Sequence, residues 1–167
     1  VARRFRGESV HKVDSKGRVS IPAPFRRVLE EGDPDWVSGG NPNLVLVYGR
    51  RGRNCLEGYS IRAMEEVDDL IAALPRYSRE REILERMINT QSMYAQVDEN
   101  GRMVLPAKLR EMIGVTKDAT FAGMGDKFQI WEPAAYKADM ERIDDWLSDQ
   151  TDDTDPFALL DRARLGG

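Results

Sequence analysis

Polar and apolar positions alternate along 18–21, so a strand there sets Val19 and Ile21 on one face and Arg18 and Ser20 on the other. A second short strand is expected at 8–13. The two are joined across Asp14–Gly17, where glycine supplies the positive φ of a tight hairpin. At 22–30 the pattern turns helical, opened by Pro22 in the first turn, where its missing N–H has no partner to lose. Strands at 44–48 and 55–59 precede a helix over 61–74, which carries Ile61, Met64, Val67, Leu70, Ile71 and Leu74 at helical spacing. Pro75 ends it, and Ser78 caps a further helix to about Ile88 with a stripe of Ile83, Leu84, Met87 and Ile88. Such stripes face a core more often than a partner.

The order then returns. Strands are expected at 92–97 and 102–105, a helix at 106–113 stopped by Gly114, strands at 120–124 and 127–131, and a helix at 134–147. "VDSKGRVSIPAPFR" (13–26) and "VDENGRMVLPAKLR" (97–110) agree at seven of fourteen positions, where chance leaves roughly one. The identities are Val13/Val97, Asp14/Asp98, Gly17/Gly101, Arg18/Arg102, Pro22/Pro106, Ala23/Ala107 and Arg26/Arg110. Val19/Met103, Ile21/Leu105 and Phe25/Leu109 stay apolar. The offset is 84 residues here and 72 between "CLEGYSIRAM" (55–64) and "KFQIWEPAAY" (127–136). About twelve extra residues therefore sit in the first copy, in the loop-forming "EEGDPDWVSGGNPN" (30–43). The chain reads as a duplication, with too few copies for a solenoid, one copy over 1–77 and a second over 78–147. An acidic tail, 148–167, is expected to be mobile, with a helical turn or two in "PFALLDRA".

Composition narrows the class. With 41% hydrophobic and 32% charged residues among 167, the chain is of globular type. No apolar run reaches the ~20 residues of a membrane span and no signal-type segment follows the first residues, so a soluble, cytoplasmic protein is expected. One cysteine, Cys55, and one histidine, His11, exclude a disulfide framework, a typical zinc site and the usual nucleophile–histidine sets beyond His11 itself. No glycine-rich stretch has P-loop spacing. Neither catalysis nor a cofactor is expected.

The net charge of −4 argues against a polyanion partner until its distribution is considered. Residues 1–27 hold eight Lys or Arg against two acids, whereas 132–167 hold ten acids against four bases. A basic end on an acidic protein concentrates polyanion binding on one face, although a merely solvated surface has the same asymmetry. In that setting Arg18 faces outward beside a turn carrying Lys16. A two-stranded ribbon enters the DNA major groove, and Arg suits bidentate contact to guanine. Lys16, Arg4 and Arg6 are candidate phosphate contacts. Asp14, Gly17, Asp98 and Gly101 are expected to shape the turns, Asp14 by accepting backbone N–H groups and by holding Arg18 in one rotamer. The Asp–Arg pair also reads as a plain turn staple, worth only ~0.2–1 kcal/mol if exposed. Arg102 is the weaker DNA candidate. Its turn carries Glu99 and Asn100 in place of Ser15 and Lys16, and its outward neighbour is Val104 where the first copy has Ser20. The loop "GRRGRNC" (49–55) adds Arg50, Arg51 and Arg53, either a second phosphate contact or a solvated loop.

The pattern Val-Asp-x-x-Gly-Arg-x-x-Ile/Leu-Pro-x-x-x-Arg resembles the signature of the swapped-hairpin DNA-binding domains of the AbrB/MazE class. Two copies in one chain after "FRGE" (5–8) resemble the MraZ family, over about residues 5 to 147. The resemblance implies a mainly β fold with capping helices: tandem repeats forming a double-split β-barrel, a pseudo-dimer within one chain. It also implies assembly of chains into a homo-oligomeric ring. The implied function is that of a nucleoid-associated regulator, a repressor of its own division and cell wall gene cluster that binds direct repeats of double-stranded DNA. Asp14/Arg18 and Asp98/Arg102 match the family's two Asp-x-x-x-Arg sites. Departures from the family are the leading "VARR", the insert at 30–43 and the basic loop at 49–55. The rival class is a ring-forming structural protein without specific DNA binding.

Overall fold

The computed structural model describes residues 3–49, 54–150 and 155–166; Arg50, Arg51 and Arg53 lie outside them. The first copy contributes β1 (Glu8–Lys12), β2 (Arg18–Ser20), α1 (Ala23–Glu31), β3 (Asn43–Val47), β4 (Cys55–Ser60) and α2 (Ile61–Ala72). After α3 (Arg79–Leu84) the second contributes β5 (Ser92–Gln96), β6 (Arg102–Val104), α4 (Ala107–Ile113), β7 (Asp118–Gly123), β8 (Phe128–Trp131) and α5 (Pro133–Gln150). The tail forms α6 (Phe157–Leu165), longer than the turn or two expected. Val1–Pro133 and Ala134–Gly167 are separate compact units, so both copies of the repeated motif share the first.

Local chemistry sets several helix ends. The Ser60 and Ser78 hydroxyls accept the Ala63 and Arg81 N–H groups at the starts of α2 and α3. Gly114 closes α4 in the left-handed region at φ 74°. Two expectations change. Pro22 and Pro106 stand at the N-cap with extended backbone, one position before the first turn. The helix expected from Ser78 to about Ile88 ends as α3 at Leu84 and continues as a π turn, Glu85–Asn89, with the Thr90 N–H reaching the Glu85 carbonyl.

The larger correction concerns the hairpins. β1 and β2 share only the single bridge Val13–Val19. Instead β1 pairs with β7 and β2 with β6, each antiparallel and each across the two copies. One six-stranded sheet runs β1-β7-β8-β4-β3-β5, and a two-stranded ribbon joins β2 to β6. Exchanging the copies turns that sheet order into its own reverse. In the ribbon Val19 faces Met103, the same position of the repeat, so a pseudo-twofold axis passes between them. The sheet edges are β1 and β5, and the ribbon stands as a separate two-stranded piece: the double-split barrel of a mainly β fold with capping helices.

One core fills the interior. Val19, Ile21, Met103 and Leu105 from the ribbon and its exits meet Phe25 and Leu29 of α1, Leu109 and Ile113 of α4, and the inner face of the sheet. Phe5, Phe25, Phe121 and Phe128 form an aromatic cluster within it, the Phe5 and Phe128 ring centroids 5.1 Å apart. On the outer face, Met64 of α2 covers Val45 and Val47. β3 is therefore buried on both sides, which explains its unbroken apolar run "LVLV". The insert at 30–43 is built and tied: buried Asp33 accepts the Asp35 N–H, the Asn43 N–H and the Asn43 amide. No helix among the described residues is long and apolar enough to cross a membrane.

Candidate nucleic-acid interface

Each Asp-x-x-Gly-Arg stretch folds as a turn whose first residue accepts the N–H groups of those that follow. In the first, the Asp14 carbonyl accepts the Gly17 N–H at 2.9 Å. Asp14 Oδ1 accepts the Lys16 and Arg18 N–H groups at 3.0 and 2.9 Å, and Oδ2 accepts Arg18 Nε–H at 2.6 Å. The second repeats the backbone part, with Asp98 accepting from Gly101, Asn100 and Arg102 at 2.8–3.0 Å. Gly17 and Gly101 hold φ of 85° and 75°, which a side chain would strain. Both carboxyls lie below the ordinary carboxylate range. The Arg18 N–H is the main cause at Asp14, and the Arg102 N–H at Asp98, where the charge of Arg18 across the ribbon also contributes.

The side chains differ between the copies. Arg102 Nε stands 3.9 Å from Asp98 Oδ2, beyond hydrogen-bond range, and it is buried without a hydrogen-bond partner. Arg18 is therefore locked by a hydrogen-bonded ion pair, whereas Arg102 makes only a long ion pair with its aspartate.

Strand alternation holds as expected. Val19 and Met103 are buried, while Arg18, Ser20, Arg102 and Val104 form the outer face of the ribbon. The register sets Arg18 opposite Val104 and Ser20 opposite Arg102, so the two arginines lie on one diagonal, about 7–8 Å apart at the backbone. Both keep their terminal guanidinium nitrogens clear of the aspartates, since each aspartate faces Nε. A two-stranded ribbon with forked donors on its outer face has the shape and chemistry to enter a major groove about 12 Å wide. Lys16 is exposed at the tip of the first turn, beside Arg18.

Arg4 and Arg6 are not brought to this face. They flank Phe5, which is buried in the core and paired with Gly125. From there β1 carries the chain on before the first turn is reached. Arg4 lines a mixed-charge hollow of about 380 Å³ with Glu31, Arg62, Glu66 and Asp126. His11 bonds Ser9 and meets the edge of Phe121, and burial lowers its pKa. It stands on β1, not on the ribbon.

Sequence reasoning assigned no role to Arg26 and Arg110. Each half-buried guanidinium bonds a carbonyl of its own copy, Ile21 or Leu105, and rests on the turn glycine of the other, Gly101 or Gly17. Their identity in both copies was the available signal. Phe5, which enters the sequence reading only within "FRGE", is a core residue.

Comparison with known proteins agrees with this architecture. The family profile described as "MraZ protein, putative antitoxin-like" matches residues 4–86 and again 90–157. The chain is 57% identical over 164 residues to a protein of Ruegeria pomeroyi named transcriptional regulator MraZ, covering 98% of each chain. Proteins of the same name from Cereibacter sphaeroides and Parvibaculum lavamentivorans are 48% and 37% identical, over 84% and 80% of this chain and 86% and 79% of theirs. Two interlocked copies, the paired Asp-x-x-x-Arg turns and these matches along most of the sequence lead to one conclusion: the chain belongs to the MraZ family.

Proposed function

We propose that this protein is a sequence-specific DNA-binding transcriptional regulator that reads the major groove with the outer face of its β2–β6 ribbon. The observation that carries the reading is the diagonal of Arg18 and Arg102 on that face, with Arg18 fixed by the 2.6 Å bond to Asp14. Arg18 is the principal base reader. Lys16 contacts phosphate beside it, and Arg4 and Arg6 act as outlying phosphate contacts on DNA that runs past the ribbon. Arg102 reads less, because its turn offers Glu99 and Asn100 where the first offers Ser15 and Lys16.

The relatives' name states transcriptional regulation and no more; the finer function proposed is repression of the protein's own division and cell wall gene cluster, through direct repeats in its promoter. The protein acts as a homo-oligomeric ring, cytoplasmic and associated with the nucleoid.

Fluorescence anisotropy with the protein's own upstream DNA tests this. Affinity should fall steeply with salt, by about 0.9 log units per phosphate contact for each tenfold rise in concentration. Arg18→Ala should remove roughly 1–3 kcal/mol of discrimination between specific and scrambled DNA, the scale of one bidentate base contact. Arg4→Ala should weaken both equally. Absence of binding at low salt would end the regulator reading in favour of a ring-forming structural protein, and light scattering that finds monomers alone would remove the ring.

A further inference from the structure

Each turn on the ribbon is held by its own aspartate and also from the other copy. The Gly17 carbonyl accepts the Leu105 N–H at 2.7 Å, and the Leu105 carbonyl in turn accepts Arg110 Nε–H at 2.9 Å. The Arg110 guanidinium then lies directly on Gly17: a Cβ there would come within 3.1 Å of Nε and 3.2 Å of Cζ, besides striking the Leu105 carbonyl. The pseudo-twofold axis repeats the arrangement. The Gly101 carbonyl accepts the Ile21 N–H at 2.9 Å, Arg26 Nη1 donates to the Ile21 carbonyl at 3.0 Å, and the Arg26 guanidinium occupies the space above Gly101. The sequences around the turns differ, Ser15–Lys16 against Glu99–Asn100, yet a guanidinium of the other copy covers each turn glycine, through Nε for Arg110 and Nη1 for Arg26. The arrangement is therefore built by the repeated residues and not by the local sequence of either turn.

We propose that Arg110 is a positioning residue for the first DNA-reading turn and Arg26 for the second, so that each copy's base-reading arginine is aimed by the other copy. Arg18 hangs from Asp14, and Asp14 is held by the turn that closes at Gly17. A planar group pressed on Gly17 fixes the height of that turn over the ribbon, and with it where the Arg18 fork points. Angular precision of this kind separates a bidentate base contact from a loose electrostatic one. It also accounts for Arg in both copies at a half-buried site: lysine carries the charge but lacks the flat fork that bonds a carbonyl and covers a glycine together.

This inference rests on the reading of Arg18 as a base reader, and the experiment separates the two. Amide hydrogen exchange of Gly17 and Arg18, without DNA, reads the clasp directly. Anisotropy on specific and scrambled sites over a salt series reads its consequence. Arg110→Lys and Arg110→Met should both speed exchange at Gly17 and Arg18, with the Gly101 and Arg102 amides unchanged. Both should lower discrimination roughly tenfold, within the range of one bidentate contact. The salt slope should stay as in the parent, and in an Arg18→Ala background neither substitution should cost further discrimination. If Arg110→Lys instead behaves as the parent, or if Arg110→Met lowers the salt slope by about one and weakens both DNAs equally, Arg110 is a phosphate contact and the proposal falls. Unchanged exchange at Gly17 and Arg18 also overturns it. Should Arg18→Ala leave discrimination intact while the Arg110 variants still loosen the turn, the clasp stands and the base-reader assignment falls.

Discussion

Asp14 and Asp98 do the same work on the main chains of their turns and different work on their arginine side chains. Each caps three N–H groups of its own turn, and the folded state needs both as carboxylates. Their pKa values are depressed in the fold, so their contribution is present above the unfolded carboxylate range near 4 and is lost as pH falls through the folded values. Stability and DNA discrimination should thus be flat from about pH 7 to pH 5 as far as these groups are concerned, and both turns should loosen below about pH 4. Comparing denaturant unfolding across that range with an Asp14→Asn, Asp98→Asn double variant checks this. The double variant should lose less stability on acidification than the parent, and equal acid sensitivity would show that the turns do not depend on carboxylate charge.

At the scale of elements, the 30–43 insert is the part of the first copy that the second lacks, and Asp33 organises it. Asp33 is buried and accepts three N–H donors, two of them from Asn43 at the start of β3. Asp33→Ala leaves those donors without their acceptor, for a loss of about 1–3 kcal/mol. A thermal or urea melt measures it, and a change near zero would mean that water or the neighbouring loop replaces the carboxylate. Short-range chemistry of this kind was legible in the sequence. The Ser78 and Gly114 helix boundaries, the Gly17 turn and the inward Val19 all follow from a few neighbouring residues. The pairing of β1 with β7 was not, because no local pattern distinguishes a strand that meets its neighbour from one that meets a strand over a hundred residues away. The π turn after Leu84 escaped for a related reason, since its residues have ordinary helical preferences and one shifted hydrogen bond decides it. Arg18 could be placed on the outer face from alternation alone. Arg26 and Arg110 could not be assigned, because their targets, Gly101 and Gly17, lie in the other copy.

For the whole molecule, the interlocking has a consequence for the copies taken singly. A fragment of residues 1–77 keeps the β3–β4 pair but loses β7 beside β1, β6 beside β2, and the core side chains Leu105, Phe121, Phe128 and Ile130. Its ribbon strand and its half of the sheet would present unpaired edges and an open apolar face, so a stable monomer is not expected. Two fragments can restore the missing pairs, because the position of Val19 already faces its own counterpart in the intact chain. The fragment should fold only as a dimer, with a melting temperature that rises with concentration, measured by circular dichroism alongside sedimentation equilibrium. A monomer that melts cooperatively and independently of concentration would sink this account of the fold. Such a dimer would also carry Lys16 and Arg18 on both turns, and so present a twofold-symmetric face to DNA. The intact chain presents Ser15–Lys16 at one end of its ribbon and Glu99–Asn100 at the other. An asymmetric ribbon has a direction on the duplex. That is the property a regulator needs if its sites are repeated head to tail, and it follows from divergence of four turn residues on a scaffold that remains nearly symmetric.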